Sequence, residues 1–326
     1  MLSTPVVQNL RGQYPLAQID FLTDKFAAEA VVGNPWLSSV LTFERKKDSS
    51  AGMIRQVRER KYDLVIDLFS NPRSAIITRL SGARWRVGFP FRWRKYAFNI
   101  IVSPRTGNTH NIDFNLDALR RLDIPVLHSQ PYFPVPEPAK KKAAQWFSAE
   151  GLDGKVVVGV NPSGGWYTKR WGLEHYAHLG DLISERCGAN IALLWGPGEE
   201  KDVRVIAEKM KSPPHVIPRT TLSELGALIQ KCSFVVSNDS GPMHIAAALG
   251  IPTLGIFGPT NPRQQGPFGD KNRWVRNEEL DCLECALTSC PIGNVCMTRL
   301  EVDRVMEAFT LLVGKSQNNE QFTPTT

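Results

Sequence analysis

The stretch that most constrains the fold runs from residue 233 to residue 250. An apolar run at 234–236 stops abruptly in four small polar residues at 237–240, and Gly241-Pro242 then leads into an alanine-rich helical pattern. This order predicts a strand, a tight turn and a helix whose first turn holds the proline, where a missing N–H has no cost. The free N–H groups of that turn and the helix dipole form an anion site. We therefore predict that a nucleotide diphosphate binds at this turn.

The same strand–helix alternation extends over the whole chain and predicts an α/β protein with doubly wound parallel sheets. The apolar runs that predict strands are 17–22, 40–43, 63–68, 85–89, 156–160, 191–195, 234–236 and 253–257. Prolines crowd between residues 125 and 138. We therefore expect two domains, 1–137 and 138–314, followed by a polar, disordered tail at 315–326.

The first series opens in mid-unit, because a helix start at Ser3-Thr4-Pro5 precedes its first predicted strand. In doubly wound sheets the first strand is normally central, and the loop after it faces the active site. A gap at that place leaves two strand edges unpaired, which is unfavourable. We therefore expect that the first strand is missing, because the chain is truncated or its annotated start is internal.

Composition sets only broad bounds on function. Of the 326 residues, 22% are charged and 42% are hydrophobic, as in ordinary globular proteins. The sequence has neither an apolar run of about 18 residues nor a secretory signal, which favours the cytoplasm. The net charge of +7 permits an anionic partner such as nucleic acid, an acidic membrane or a phosphorylated substrate, and it equally fits a basic solvated surface.

A second loop, 161–171, follows the strand predicted at 156–160 and combines small residues with two cations. Hydroxyl and N–H groups such as those of Ser163 suit a phosphate, and Lys169 supplies a point charge. The alternative is an exposed turn with solvated cations.

A third loop, Gly196-Pro197-Gly198, leads into a helix that opens with Glu199 and Glu200. A carboxylate at such a place accepts hydrogen bonds from ribose hydroxyls in dinucleotide folds. The alternative for each glutamate is a first-turn acid that complements the helix dipole. The fingerprints G-x-G-x-x-G, G-x-x-x-x-G-K-[ST] and G-x-S-x-G are absent from the chain, so none of these three motifs explains the loops.

Taken together, these segments resemble the glycosyltransferase family 9 heptosyltransferases, which build the inner core of lipopolysaccharide. The segments that carry the resemblance are 238–250, 257–260, Thr4-Pro5, 62–68, 80–89 and 169–171. The resemblance implies a GT-B fold, in which two Rossmann-like domains face a cleft, and an inverting transfer of heptose from ADP-heptose without a metal or other cofactor. It also implies a lipid A–Kdo/heptose core acceptor, and a peripheral place at the cytoplasmic face of the inner membrane. Nucleic acid is not an expected partner.

The resemblance also assigns a donor site. Lys169 stabilises the leaving group, Thr168 helps to neutralise the phosphates, and Glu200 or Glu199 holds the ribose. The residues assigned to the diphosphate and the sugar are Asp239, Ser240, Gly241, Pro242, Met243 and His244. A lone helical histidine also has a simple packing role as its alternative.

The general base is the weakest part of the match. In the family it is an aspartate of a Gly-Asp pair that precedes the segment matching residues 2–5, and this chain does not contain that pair. Asp67, at the end of a predicted strand, is the substitute in the same domain, and its alternative role is to accept hydrogen bonds from loop N–H groups. We therefore expect the 326 residues to transfer sugar very weakly as they stand. A family member with another nucleotide sugar and a non-catalytic nucleotide-sugar-binding protein are the alternatives.

Cations and aromatic residues alternate in the segment 84–96. By resemblance this domain receives the acceptor, so the cations are candidates for binding the anionic sugars and phosphates of the core, or an acidic membrane face. These cations are Arg84, Arg86, Arg92, Arg94 and Lys95. A platform for single-stranded nucleic acid and an edge strand with snorkelling cations are the alternatives.

Four cysteines, Cys282, Cys285, Cys290 and Cys296, cluster with the spacing C-x2-C-x4-C-x5-C. This spacing permits a small tetrahedral zinc site, and free or redox-sensitive thiols are the alternative.

Overall fold

The computed structural model describes residues 1–44 and 47–319. The chain divides into two compact units, Met1–Pro134 and a second unit that begins at Val135. The division lies close to the boundary expected after residue 137. None of the helices in the described part of the chain is both long and apolar enough to cross a membrane.

The second unit contains one parallel sheet of six strands. Its strands are β6 Val157–Asn161, β7 Asn190–Leu193, β8 His215–Val216, β9 Phe234–Asn238, β10 Thr253–Ile256 and β11 Arg273–Val275. They lie in the order β11-β10-β9-β6-β7-β8. The central strand β6 is buried along its whole length. Such burial is typical of a strand in a parallel sheet that is covered on both faces, and it explains the continuous apolar run in the sequence. The order reverses between β6 and β9, and ligands of doubly wound sheets bind at such a reversal.

The helices of the second unit cover this sheet. They are α5 Glu137–Ala149, α6 Leu173–Cys187, α7 Glu200–Lys209, α8 Leu222–Gln230, α9 Gly241–Ala248, α10 Pro262–Gln265, α11 Val295–Thr298 and α12 Val302–Asn319, with a 3-10 turn at Tyr167–Lys169. Local signals fix their ends. Thr221 and Glu224 form a capping box at the start of α8, and Gly188 adopts the left-handed conformation that ends α6.

The first unit has five strands, which form two separate sheets. Its strands are β1 Asp20–Asp24, β2 Ser39–Phe43, β3 Leu64–Asp67, β4 Trp85–Gly88 and β5 Ile100–Ile101. β1 pairs with β2, and β3, β4 and β5 form a second sheet; all of these pairs are parallel. Within the described residues, β1 and β3 therefore each bond to a neighbour on one side only.

Helices and short 3-10 segments connect the strands of the first unit. They are α1 Thr4–Gln13, α2 Ser50–Glu59, α3 Pro72–Leu80 and α4 Asn111–Arg120, with 3-10 segments at Lys25–Ala30 and Arg92–Ala97. Asn71 and Ser74 form a capping box that starts α3, and Ser49 caps α2.

Two features differ from the sequence expectations. The short strands β5, β8 and β11 were not expected, because two or three residues carry too little periodicity to be recognised. Helix α12 continues to Asn319, five residues into the segment 315–326 for which a disordered tail is predicted. Polar residues without proline do not by themselves stop a helix. The rest of that predicted tail, 320–326, lies outside the described residues.

Candidate functional site

Two loops meet at the reversal of strand order in the second unit. β6 and β9 are direct neighbours, and Asn161 at the end of β6 stands beside Ser237 of β9. Their loops therefore leave the same edge of the sheet side by side. The loop after β6 carries Lys169, and the loop after β9 leads into helix α9, so the expected phosphate-binding elements are neighbours.

A hydrogen-bonded network of small polar side chains joins these loops. The amide of Asn161 donates to the hydroxyls of Ser237 and Ser240, at 2.9 Å each. The two serine hydroxyls also lie 3.1 Å apart and share a hydrogen bond. The network holds the turn before α9 against the end of β6.

A second set of hydrogen bonds joins fully buried groups and fixes the same two loops; we call it the buried relay. Tyr176 of α6 donates its hydroxyl to Asn238 at 2.9 Å, and Asn238 donates its amide to the carbonyl of Pro162 at 2.6 Å. Burial raises the pKa of Tyr176 well above its ordinary value, so the hydroxyl stays protonated and acts as a donor. Neither Tyr176 nor this use of Asn238 was singled out from the sequence.

The start of helix α9 has the features of an anion site. Ser240 is the N-cap residue, but its side chain makes no capping bond, and Pro242 lies in the first turn. The first-turn N–H groups are therefore not satisfied by a side-chain cap. Nearby, the hydroxyl of Ser163 is buried without a hydrogen-bond partner in the described part of the chain. Both features are satisfied by an anionic ligand with several oxygen atoms.

Lys169 is the cation of this site. Its Nζ lies 2.7 Å from a carboxylate oxygen of Asp239 and 4.6 Å from the ring centre of Trp166. The same oxygen of Asp239 accepts a 2.7 Å hydrogen bond from Thr260. Lys169 is 14% exposed and Asp239 5%, so the pair is largely shielded from water. Asp239 thus positions the cation beside the start of α9. Thr260 lies in the segment 257–260 that carries the resemblance, but the sequence assigned it no role in the site.

The two glutamates expected at the ribose have different surroundings. Glu199 accepts a 2.9 Å hydrogen bond from the backbone N–H of Gly196 and so closes its own turn. Glu200 lies in the first turn of α7, is about half exposed and pairs with Arg204 one turn later. Glu200 is therefore the more accessible of the two carboxylates, and the ribose contact stays a prediction.

Two residues predicted to contact the donor are engaged elsewhere. Met243 is fully buried, because its position on α9 faces the sheet, and its sulfur lies where a Cβ on Gly255 would stand. Thr168 is also buried and donates its hydroxyl to the carbonyl of Leu287 at 2.8 Å. Their side chains hold the site together rather than face a ligand. His244, one residue after Met243, is partly exposed.

In the first unit, Asp67 lies at the carboxyl end of β3. One of its oxygens accepts from the N–H groups of Ser70 and Phe69, at 2.7 and 3.2 Å. The other is buried without a hydrogen-bond partner among the described residues. Burial raises the pKa of Asp67, against the opposing effects of those N–H groups, of the Ser74 side chain and of Arg94. The carboxylate therefore fills the loop-capping role expected as its alternative and still has one oxygen to offer.

The structure separates the five cations that were predicted to bind the acceptor. Arg86 donates its guanidinium to the carbonyls of Ala97 and Ala83, at 3.2 and 2.7 Å, so it braces its own loop instead of facing a ligand. Arg94 is partly buried and near enough to Asp67 to lower its pKa. The remaining three, Arg84, Arg92 and Lys95, are exposed.

The four clustered cysteines line one cavity of about 80 Å³, together with Thr168. Burial and the other three cysteines raise the pKa of Cys296 to about 11. In the described part of the chain, no three histidine, cysteine, aspartate or glutamate side chains are grouped so that they could hold a metal ion. The arrangement of these thiols therefore gives no support to the zinc site that the spacing permits.

Comparison with known proteins places these features in a family. Residues 51–296 match the family model described as glycosyltransferase family 9 (heptosyltransferase). The chain is 27% identical to the lipopolysaccharide heptosyltransferase 3 of Escherichia coli, over 95% of this chain and 96% of that protein.

Solved structures show the same fold. A glycosyl transferase family 9 protein from Veillonella parvula superposes with a TM-score of 0.83 at 23% identity, covering 96% of this chain and 93% of that chain. The E. coli ADP-heptose lps heptosyltransferase II superposes with a TM-score of 0.75 at 22% identity, covering 97% and 95%.

Proposed function

The chain belongs to glycosyltransferase family 9, and from this we propose that it transfers a heptose from ADP-heptose to the inner core of lipopolysaccharide. That it is a glycosyltransferase follows from the family, whose model spans most of the chain. The names of its relatives support the sugar and the acceptor, since they include a lipopolysaccharide heptosyltransferase similar along nearly the full length. ADP-heptose appears in the name of one structure with the same fold.

The observation that carries the proposal is the cationic site at the reversal between β6 and β9. When the glycosidic bond breaks, the electron pair of that bond leaves with the diphosphate, which gains negative charge. Lys169 and the N–H groups at the start of α9 stand together to stabilise that charge. The buried hydroxyl of Ser163 adds one donor. These protein groups supply the electrostatic role without a metal ion in the reaction scheme.

The proposed chemistry is a single displacement with inversion. An acceptor hydroxyl attacks the anomeric carbon on the face opposite the diphosphate, a new carbon–oxygen bond forms, and the hydroxyl proton passes to a general base. Asp67 is the candidate base that this chain offers in the first unit, because one of its oxygens is unpartnered and its pKa is raised. Arg94, close to Asp67, is the candidate for binding an anionic group of the acceptor.

A donor panel tests the proposal. The purified chain is incubated with ADP-heptose, ADP-glucose, UDP-glucose or GDP-mannose and with core acceptors that lack one heptose, and mass spectrometry reads the product. We expect one heptose to be added from ADP-heptose alone, at the low rate that the sequence predicts for these 326 residues. Transfer from a different nucleotide sugar identifies the alternative donor. Tight binding of ADP-heptose, measured by calorimetry, without transfer supports a role in binding only.

We also propose that the reaction takes place in the cytoplasm at the inner membrane, because that is where a nucleotide sugar and a lipid-linked acceptor meet. Fractionation of cells that express the tagged chain tests this. Recovery with inner membranes, released by salt, is the expected result. Recovery with any other fraction contradicts it.

A further inference from the structure

The segment 84–96 of the first unit combines exposed aromatic rings with cations that have no ion-pair partner among the described residues. We call it the basic aromatic patch and define it as Arg84, Trp85, Phe91, Arg92, Trp93, Lys95 and Tyr96. Its four aromatic side chains are strongly exposed, up to 74% for Tyr96 and 55% for Trp93. Exposed rings of this size in one place indicate a surface that meets a partner.

The rings are exposed although the loop that carries them is anchored. Ala97 and Phe98, directly after the patch, are buried and pack against Ala75 of α3. The ring of Phe98 lies against Gly88, so closely that a Cβ there would come within about 2.4 Å of it. The guanidinium of Arg86 donates hydrogen bonds to the backbone carbonyls of both Ala97 and Ala83. It thereby ties Ala97 to the segment that follows helix α3. The neighbouring chain is therefore fixed while the rings face water.

All of the charged residues in the patch are cations. The segment 84–96 contains five cations and no acidic residue. In the described part of the chain, no carboxylate forms an ion pair with Arg84, Arg92 or Lys95. Instead, the guanidinium carbon of Arg84 lies 4.8 Å from the ring centre of Trp85, and Nζ of Lys95 lies 5.3 Å from the ring centre of Tyr96. The cations are thus available to an external anion, while each keeps an amphipathic ring beside it.

We propose that the basic aromatic patch docks the protein onto an anionic lipid bilayer. Tryptophan and tyrosine favour the headgroup region of a bilayer, where the ring is buried and its polar edge stays wet. Arginine and lysine beside them gain from the negative surface potential of anionic lipids. This deepens the proposed function, because a transferase for a lipid-linked acceptor gains from residence at the membrane, but vesicle binding is measured without any reaction.

Two other partners fit the patch less well. A single-stranded nucleic acid needs ring faces on which bases stack, and a neighbouring cation already occupies one face of Trp85 and one face of Tyr96. Sugar phosphates of the acceptor satisfy the cations but leave the exposed rings of Trp93 and Tyr96 in water. A bilayer engages both the charges and the rings.

Vesicle co-sedimentation tests the inference, with phosphatidylcholine alone or mixed with phosphatidylglycerol. We expect binding to the mixed vesicles only, weakened by salt. The variant Lys95→Glu/Tyr96→Ser is expected to bind at least about fivefold more weakly, the effect of removing one cation near such a surface. Circular dichroism confirms that the variant is folded.

The first unit offers a matched control in Lys25→Glu/Phe26→Ser. Lys25-Phe26 is also a lysine–aromatic pair in a 3-10 segment, and Phe26 is 84% exposed. Lys25, however, is paired with Glu44 at 3.5 Å and lies outside the patch. We expect this variant to bind vesicles like the unaltered chain. An equal loss in both variants, or equal binding to neutral vesicles, overturns the inference.

Two further arms separate the sources of binding. Release from vesicles by soluble, delipidated core oligosaccharide assigns the patch to the acceptor instead of the bilayer, and tighter binding to a single-stranded oligonucleotide assigns it to nucleic acid. Both results overturn the inference. If no donor supports transfer but vesicles still bind, only the proposed function fails.

Discussion

Both units are built from parallel strands, but only the second unit joins its strands into one sheet. In the second unit, β6 and β9 are bonded neighbours, and nearly every residue of both is buried. In the first unit, β1 and β3 belong to different sheets, and most of their residues are half exposed or exposed. The paired strands β6 and β9 of the second unit are therefore part of a buried core, whereas β1 and β3 of the first unit are more exposed.

The difference extends to the site residues at the strand ends. Asn161 and Asn238 are held by hydrogen bonds that cross from one loop to the next. Asp67 accepts its hydrogen bonds from the segment that directly follows it, including the N–H groups of Phe69 and Ser70. A continuous sheet thus brings side chains of different loops into contact and fixes them before a ligand arrives. We expect substitutions in the second unit to have the larger and more specific effects.

The largest expected effect is on catalysis by Lys169. Replacement by methionine removes the charge that stabilises the leaving diphosphate, and we expect transfer to fall by about 10²- to 10³-fold. The measurement is the rate of heptose transfer at saturating donor. Because Lys169→Met leaves Asp239 buried without its cation, the double variant Lys169→Met/Asp239→Asn is measured alongside.

The matched control is Lys209→Met, which removes an exposed lysine that pairs with Glu174 on the same unit. It should leave transfer unchanged. If the single variant at Lys169 transfers heptose at the original rate, the leaving-group role of this lysine is wrong. If only the double variant is folded and it remains inactive, the loss is not explained by the unpaired carboxylate.

The next effect compares the cores directly. Ile191 of β7 is 2% exposed, whereas Ile66 of β3 is only partly buried against its neighbours. We expect Ile191→Ala to lower the free energy of unfolding of its unit by about 2–5 kcal/mol. Ile66→Ala should lose less, since less apolar surface returns to water. Urea denaturation, with hydrogen exchange read separately in each unit, measures both. Equal losses contradict the contrast between the cores.

A smaller effect concerns the buried relay. Tyr176→Phe removes the hydroxyl that donates to Asn238 and leaves a buried carbonyl oxygen unsatisfied, which costs about 1–3 kcal/mol. We expect weaker ADP binding as well, because the relay fixes both donor loops. Calorimetry with ADP and urea denaturation are the measurements. Tyr14→Phe, at an exposed site, serves as control; a Tyr176→Phe protein with unchanged stability and affinity removes the relay from the argument.

The sequence was sufficient for the elements that carry long periodic patterns. Each of the eight apolar runs overlaps a strand, and helix α9 has Ser240 as its N-cap and Pro242 in its first turn, as expected. Family membership was also recognised from the motifs, and the family comparison confirms it. These features depend on local chemistry, which a single sequence displays.

The parts that failed depend on contacts between distant residues. Met243 shares a motif with Asp239, yet its side chain points into the core because of its place around the helix. The hydroxyl of Thr168 is taken by Leu287, more than a hundred residues away. Tyr176 contacts Asn238 and Thr260 contacts Asp239 only in the folded unit, because residues distant in the sequence come together there. The sequence carried one signal for these contacts. Each of the two central strands, β6 and β9, ends in a polar residue, Asn161 and Asn238.

The smallest effect is expected at Asp67, and its sign separates structure from catalysis. The pKa of the folded carboxyl is raised above its ordinary value, chiefly by burial. As pH rises from acid, the unfolded chain therefore loses this proton first, and the free energy of unfolding falls until the folded carboxyl has ionised too. Asp67→Asn removes that loss while keeping an oxygen for the N–H groups of Ser70 and Phe69.

We therefore expect Asp67→Asn to be more stable than the unaltered chain near neutral pH, with the gain vanishing in acid where both forms are uncharged. If Asp67 is also the base, the same variant loses transfer, so that stability and activity move in opposite directions. Urea denaturation at neutral and acidic pH and the transfer rate test both parts. Asp63→Asn, at an exposed position just before β3, should change neither quantity. A more stable variant with full transfer shows that the carboxylate only caps its loop, and a less stable variant shows that the buried charge is better compensated than its surroundings indicate.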